Sequence, residues 1–282
     1  MPWNGGGDGL PEPADLHDRA SRERELDWGA PLPTRADIAE MYGSEAASYS
    51  LSWLAGAGAV EPAVTADMVE AIGTEGFPYH LKNRLKSPQS LARKLSTRAD
   101  YRRGRGRSRP EDVLRYTVGT DHPRDLVTTA VRTVERLLAK GWTIDSAHHS
   151  YVDRSRYKGL HVFLHTRGQT VELQVHSRES LAVKELTTPL YEVQRDRNQS
   201  PTVRAAAGAE ATELSARLTD PAGLGDLETL GGVPITTRRY GDGKMTTSRG
   251  SRPVVVAEQP TVRENQYREQ LNQLDRPDGT SR

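Results

Sequence analysis

Two runs of alternating residues, about 159–166 and 169–176, stand either side of Arg167-Gly168, and no other stretch constrains the fold as much. In Val171-Glu172-Leu173-Gln174-Val175-His176 the alternation is strict. An extended chain therefore turns Val171, Leu173 and Val175 to one face and Glu172, Gln174 and His176 to the other. If Arg167-Gly168 is a two-residue hairpin turn, residues whose numbers sum to 335 are paired, which sets His161 opposite Gln174 and Phe163 opposite Glu172. A three-residue turn breaks that register. A carboxylate and two polar groups on one strand face can build a site, or can be the solvated face of an edge hairpin.

The flanking patterns supply the cover that the apolar face needs. Residues 36–54 and 62–72 read as helices, the second opening with Pro62 near its first turn. Ser87-Pro88 pairs a capping oxygen with a proline pre-set for the first helical position, which predicts a helix from 88 to about 98. A strand at 113–119 follows, then a helix at 125–140 whose Leu126, Ala130, Val134, Leu137 and Leu138 share one face and which Gly141 closes. Another strand at about 143–152 precedes the hairpin, and helices at about 178–195 and 201–218 come after it. This order predicts an α/β (α+β) fold, a mixed β-sheet flanked by helices, over residues 36–218.

Residues 1–35 are rich in Gly, Pro and charge and read as a flexible leader. Residues 219–282 contain only eleven Leu, Ile, Val or Phe and read as a polar, largely disordered tail, with Arg252–Ala257 the best candidate for a strand. No run approaches the roughly 20 apolar residues of a spanning helix, so a membrane is not an expected partner and the default location is cytoplasmic. The chain has no Cys, which excludes disulfides, zinc-thiolate sites and Cys nucleophiles together.

The formal net charge of +1 conceals a strong asymmetry, because Lys82 to Arg109 holds eleven Lys or Arg against the single acid Asp100. A cationic segment on a near-neutral molecule suits a polyanion held at one place. Arg84, Lys86 and Lys94 flank the Ser87 cap, where a helix start presents free N–H groups. Asp112 sits at the mouth of the sheet, where it can meet Glu172 and hold Mg²⁺, an ion that takes few protein carboxylates and completes its shell with phosphate oxygens. Cations, carboxylates and magnesium are the equipment of phosphoryl transfer. The Arg-rich loop carrying Arg103, Arg105 and Arg107 can grip an RNA backbone or close over nucleotide phosphates. His148-His149, an adjacent pair on opposite strand faces, reads as surface polarity.

Four motifs in order, Arg84-Leu85-Lys86-Ser87-Pro88 through Lys94, Asp112-Val113-Leu114-Arg115-Tyr116, Tyr157-Lys158-Gly159-Leu160-His161, and Val171-Glu172-Leu173-Gln174-Val175, resemble the synthetase domain of RelA/SpoT-type alarmone synthetases over about residues 58–218. The resemblance implies a nucleotidyltransferase-like fold and transfer of the β,γ-pyrophosphate of ATP to a ribose 3′-hydroxyl, with release of AMP. It further implies that Arg84, Lys86, Ser87, Lys94 and Arg115 bind ATP phosphates. Asp112 and Glu172 become the metal-binding and catalytic carboxylates, and Tyr157, Lys158, His161 and Gln174 the acceptor site, with the base stacked on Tyr157. Arg156 before Tyr157, Lys158-Gly159 before Leu160, and His176-Ser177 after Val175 are more similar to the toxic small synthetases and their phage or polymorphic-toxin versions. That similarity extends the acceptors from GDP or GTP to adenosine nucleotides and the 3′ end of tRNA, and implies a neutralising antitoxin as a partner. A catalytically silent nucleotide- or RNA-binding module is the rival of a different class, and it predicts the loss of a carboxylate that this chain retains.

Overall fold

The computed structural model describes residues 9–97 and 110–241. Its helices are α1 (Pro13–Ala20), α2 (Arg35–Tyr42), α3 (Ser44–Ile72), α4 (Pro88–Thr97), α5 (Leu126–Ala139), α6 (Arg178–Arg195) and α7 (Pro201–Ala216). The strands are β1 (Phe77–Tyr79), β2 (Leu114–Thr120), β3 (Thr143–His149), β4 (Leu160–Thr166), β5 (Gln169–Ser177), β6 (Thr229–Leu230) and β7 (Val233–Thr237). They form a mixed sheet in the order β1-β2-β5-β4-β3-β7-β6, with β7 parallel to β3 and antiparallel to β6. The mixed α/β class read from the sequence is therefore the class observed.

Arg167 and Gly168 form the two-residue turn between β4 and β5, and both have positive φ, 47° and 75°, as a type I′ hairpin turn requires. β5 lies inside the sheet between β2 and β4, so the reading of its polar face as a solvated edge does not hold. Glu172 is 7% exposed, Gln174 5% and His176 0%. Buried polar groups in such a place need partners, and each has one.

The chain divides into two compact units, the first comprising 1–118, 132–146 and 162–174, the second 119–131, 147–161 and 175–282. In the first, the two helices expected at 36–54 and 62–72 are arranged differently. The break falls at Gly43, with φ of 93°, and α3 runs unbroken through Pro62. An internal proline costs a helix roughly 3 kcal/mol. Burial outweighs that here, since Leu51, Leu54, Val64 and Met68 along one side of α3 are fully buried, each worth about 1.5–3 kcal/mol. Residues 9–34, within the expected flexible leader, are also packed. α1 buries Leu16 and Ala20, Leu26 is buried beyond it, and the Trp28 indole N–H donates to the Leu85 carbonyl at 2.8 Å.

α3 ends at Gly73, and Arg136 closes that end by donating to the carbonyls of Ala71 and Ile72 at 3.0 and 3.2 Å. A cation on the last carbonyls of a helix satisfies orphan acceptors and meets the negative end of the helix dipole. Glu75 holds Arg136 and Arg132 at 2.8 and 2.7 Å, and the hydrogen bonds of Arg136 and then Arg132 pull its carboxyl pKa down to about 2. A depressed carboxylate stabilises above its ordinary pKa and loses that contribution as pH falls through its folded value. The melting-temperature gap between wild type and Glu75→Gln is thus expected to be constant from about pH 7 to about pH 5 and to close toward pH 2. A gap of undiminished size at pH 2 would remove the ion pair as its cause.

In the second unit, Ser177 and Ser180 form a reciprocal cap at the start of α6, and α6 and α7 pack against each other. The expected disordered tail is ordered as far as residue 241. Leu224 and Leu230 are buried, Gly231-Gly232 turns β6 into β7, and β7 pairs with β3 in the register His148↔Thr236 and His149↔Thr237. Arg252–Ala257 lies outside the described residues.

Candidate active site

The segment before α4 pairs with the start of β2. Lys86 N–H donates to Val113 O at 2.9 Å, Arg115 N–H donates to Arg84 O at 2.8 Å, and Leu85 and Leu114 form the bridge between them. Proline at 88 keeps the preceding residue extended, so the chain leaves this pairing and enters α4 at Ser87, whose Oγ accepts from Ser90 N–H at 3.3 Å. Lys86 just before the cap and Lys94 within α4 then converge on one carboxylate. Their ammonium nitrogens lie 2.8 and 2.5 Å from the two oxygens of Asp112.

All three side chains are about four-fifths buried, at 17–21% exposed. Burial acts to raise the Asp112 pKa, but Lys86 and Lys94 outweigh it and hold the carboxyl far below the usual carboxylate range. Burial pushes the Lys86 ammonium below its ordinary value, Arg115 and Lys94 push the same way, and Asp112 opposes them. The Arg115 side chain is exposed on β2. Three cations against one carboxylate leave a local surplus of positive charge, the condition for holding an anion.

Arg84, which the resemblance assigns to ATP phosphates, is placed differently. It is 1% exposed and ion-paired with Glu61 of α3. Its other N–H groups donate to the carbonyls of Glu25 (2.6 Å), Leu81 (3.2 Å), Ala20 (2.9 Å) and Arg24 (3.1 Å). All five guanidinium hydrogens thus have partners inside the protein, and none is left for a phosphate. Sequence inspection missed Glu61, because an acid inside a helical pattern carries no local sign of burial.

Glu172 and Gln174 stand on one face of β5, with Gln174 Nε2 donating to Glu172 Oε1 at 3.0 Å. That bond orients the carboxylate. Asp112 precedes β2 and Glu172 lies on β5, neighbouring strands of the sheet. Among the described residues no group of three or more His, Asp or Glu is disposed to hold a metal. Magnesium does not need one, since one or two carboxylates suffice when phosphate oxygens complete the shell. Asp112 and Glu172 are oxygen donors of the kind that Mg²⁺ takes, and Asp112 is paired with Lys86 and Lys94.

Of the residues assigned to the acceptor, Gln174 belongs to the first unit, while Tyr157, Lys158 and His161 belong to the second, where His161 and two further histidines lie close to Tyr157 or to one another. The Tyr157 hydroxyl is 2.8 Å from His176 Nε2, and its ring meets His161 edge-on at 5.4 Å between centroids. His161 is buried and stacked on His148 at 4.8 Å. His148 is 7% exposed, so it belongs to this cluster and not to the surface. Lys158 is turned toward Asp220 at 3.5 Å and lies 5.9 Å over the Tyr151 ring, partners within the unit rather than an open acceptor face. Arg103, Arg105 and Arg107 lie outside the described residues. Among the described residues no helix is long and apolar enough to cross a membrane. No protein-family model matches the chain, and no curated protein matches it.

Proposed function

We propose that this protein is an ATP-dependent 3′-pyrophosphokinase whose acceptor is a purine nucleotide, GDP or GTP in the first instance. The observation that carries this reading is the convergence of Lys86 and Lys94 on Asp112 beside the Ser87-capped start of α4. Two ammonium groups parked on one carboxylate are a phosphate site in its resting pairing. On ATP binding they move to the β- and γ-phosphates, where they oppose the charge that builds up as pyrophosphate is transferred. Asp112 and Glu172 would hold Mg²⁺, which when bound neutralises phosphate charge.

The acceptor 3′-oxygen attacks the β-phosphorus, the bond from that phosphorus to the α,β-bridging oxygen breaks, and AMP leaves with the bridging oxygen. The 3′-hydroxyl proton passes to Glu172, which the Gln174 amide keeps oriented. Tyr157 offers its ring to the acceptor base, a sequence-tolerant contact worth about 1–3 kcal/mol.

The test is AMP release from ATP and Mg²⁺ with GDP, GTP, ATP or deacylated tRNA offered as acceptor and Glu172→Gln as the blank. AMP formed with a free purine nucleotide and absent from the blank is the expected result. AMP formed with tRNA alone would move the substrate to RNA and the role to blocking translation. Silence with all four from folded protein, or an active blank, would overturn the reading.

A further inference from the structure

The described part of the tail delivers an aromatic side chain to the acceptor cluster. β7 runs along β3 and, just past it, Arg238 N–H donates to His149 O at 2.9 Å. Two residues on, the Tyr240 backbone is tied at both ends, its N–H to Ser155 Oγ at 3.2 Å and its carbonyl to Arg156 N–H at 2.9 Å. This sets the Tyr240 ring against Tyr157, with centroids 5.4 Å apart and planes at 84°. Each ring has its hydroxyl pinned by a buried imidazole, Tyr157 by His176 Nε2 at 2.8 Å and Tyr240 by His148 Nε2 at 3.1 Å. His176 is itself held through Nδ1 by Ser180 Oγ at 3.1 Å, so it bridges two hydroxyls, donating to one and accepting from the other.

Gly159 makes the Tyr157–His176 pairing sterically possible, because a Cβ there would lie 2.7 Å from His176 Cε1 and 3.1 Å from the Tyr157 hydroxyl. Both tyrosines are only half-buried. Two half-exposed rings, nearly perpendicular and each fixed by its hydroxyl, are a pre-organised corner. A flat base stacked on one wall brings its edge against the other, and the fixed hydroxyls reduce the side-chain ordering left to binding, with the Arg238 guanidinium 4.9 Å over the Tyr240 ring.

We propose that Tyr240 is a second base-contacting residue, and that with Tyr157 it forms the corner that receives the purine of the acceptor nucleotide. This rests on the acceptor role of Tyr157 in the function proposed above. His176 and His148 are positioning residues, acting through the two hydroxyls. The region that composition marks as tail thus supplies one wall of the site.

The experiment measures binding of GDP and ADP by equilibrium dialysis, and separately the Michaelis constants for acceptor and ATP, on the full chain. Tyr240→Ala is expected to weaken purine nucleotide binding about ten-fold or more and to raise the acceptor KM alike, with the ATP KM unchanged. Tyr240→Phe and Tyr240→Trp, which keep an aromatic face, should stay within about three-fold of wild type. Tyr240→Leu, which keeps apolar bulk without that face, should behave as Ala does and replaces it if the Ala variant does not fold. Unchanged binding in Tyr240→Ala or Tyr240→Leu would overturn the proposal. So would a loss in Tyr240→Phe as large as that in Ala, which would reduce Tyr240 to its bond with His148, and so would wild-type protein that binds no purine nucleotide. Tyr240-dependent purine binding without AMP release would instead overturn the transfer reaction and leave the corner standing.

Discussion

Asp112→Asn is expected to cut AMP release by about 10²–10³-fold while tightening the binding of metal-free tripolyphosphate by about ten-fold. The opposite signs follow from one geometry. Asp112 holds both Lys86 and Lys94, so in the wild-type protein an anion must take the ammonium groups away from a carboxylate already in contact with them. An Asn amide has no charge with which to compete, and the lysines become free for phosphate. In the proposed reaction turnover needs the carboxylate as well, because Asp112 would help to hold the Mg²⁺ that neutralises the transferred group. Lys86→Met and Lys94→Met should show the complementary pattern, weaker tripolyphosphate binding and a raised KM for ATP. Asp112→Asn should also lose about 1–3 kcal/mol of stability, since it leaves two mostly buried ammonium groups side by side without a counter-charge. Tripolyphosphate binding that weakens in Asp112→Asn would mean that the carboxylate organises the lysines for the anion rather than competing for them, and the resting-pair interpretation would be wrong.

The parts of this molecule that local pattern could reveal are those whose order arises from local chemistry. The α5 stripe, closed by Gly141, buries Leu126, Ala130, Val134 and Leu137 completely, and the strict alternation of β5 marks its two faces. The Lys86, Lys94 and Asp112 convergence was legible in part, because Ser87-Pro88 and the following strand fix where those residues stand along the chain. Arg84 was not, since an arginine two residues from Lys86 has the same local signature whether it faces solvent or a carboxylate 23 residues away. The leader failed for the same reason. Its order comes from partners about 60 residues distant, as in the bonds from Arg84 to the Ala20, Arg24 and Glu25 carbonyls. The tail failed for a different one. Gly231-Gly232 between short apolar runs is a hairpin signal in its own right, and averaging composition over residues 219–282 buried it under the polar residues beyond 241.

Glu61→Gln is expected to lower stability by about 3–5 kcal/mol, a fall of about 10–15 °C in melting temperature. Arg84 and Glu61 have side chains 1% and 3% exposed, so loss of the carboxylate's charge leaves a guanidinium buried without its counter-ion. Glu61 also accepts from Thr65, whose hydroxyl pairs with the buried Tyr116 hydroxyl at 2.8 Å, so the change reaches the strand that follows Asp112. The double replacement Arg84→Met with Glu61→Leu removes both charges, and it should recover a good part of the loss, because apolar pairs of similar volume commonly replace buried ion pairs without penalty. Three carbonyls of residues 20–25 would still lose their donor, so recovery should be incomplete. The double variant also separates structure from ligand binding. With every Arg84 N–H committed internally, its ATP KM should stay within about three-fold of wild type, whereas Lys86→Met should raise it by ten-fold or more. A large rise in the ATP KM of a well-folded double variant would return Arg84 to the phosphate site and would require the leader to release it when ATP binds.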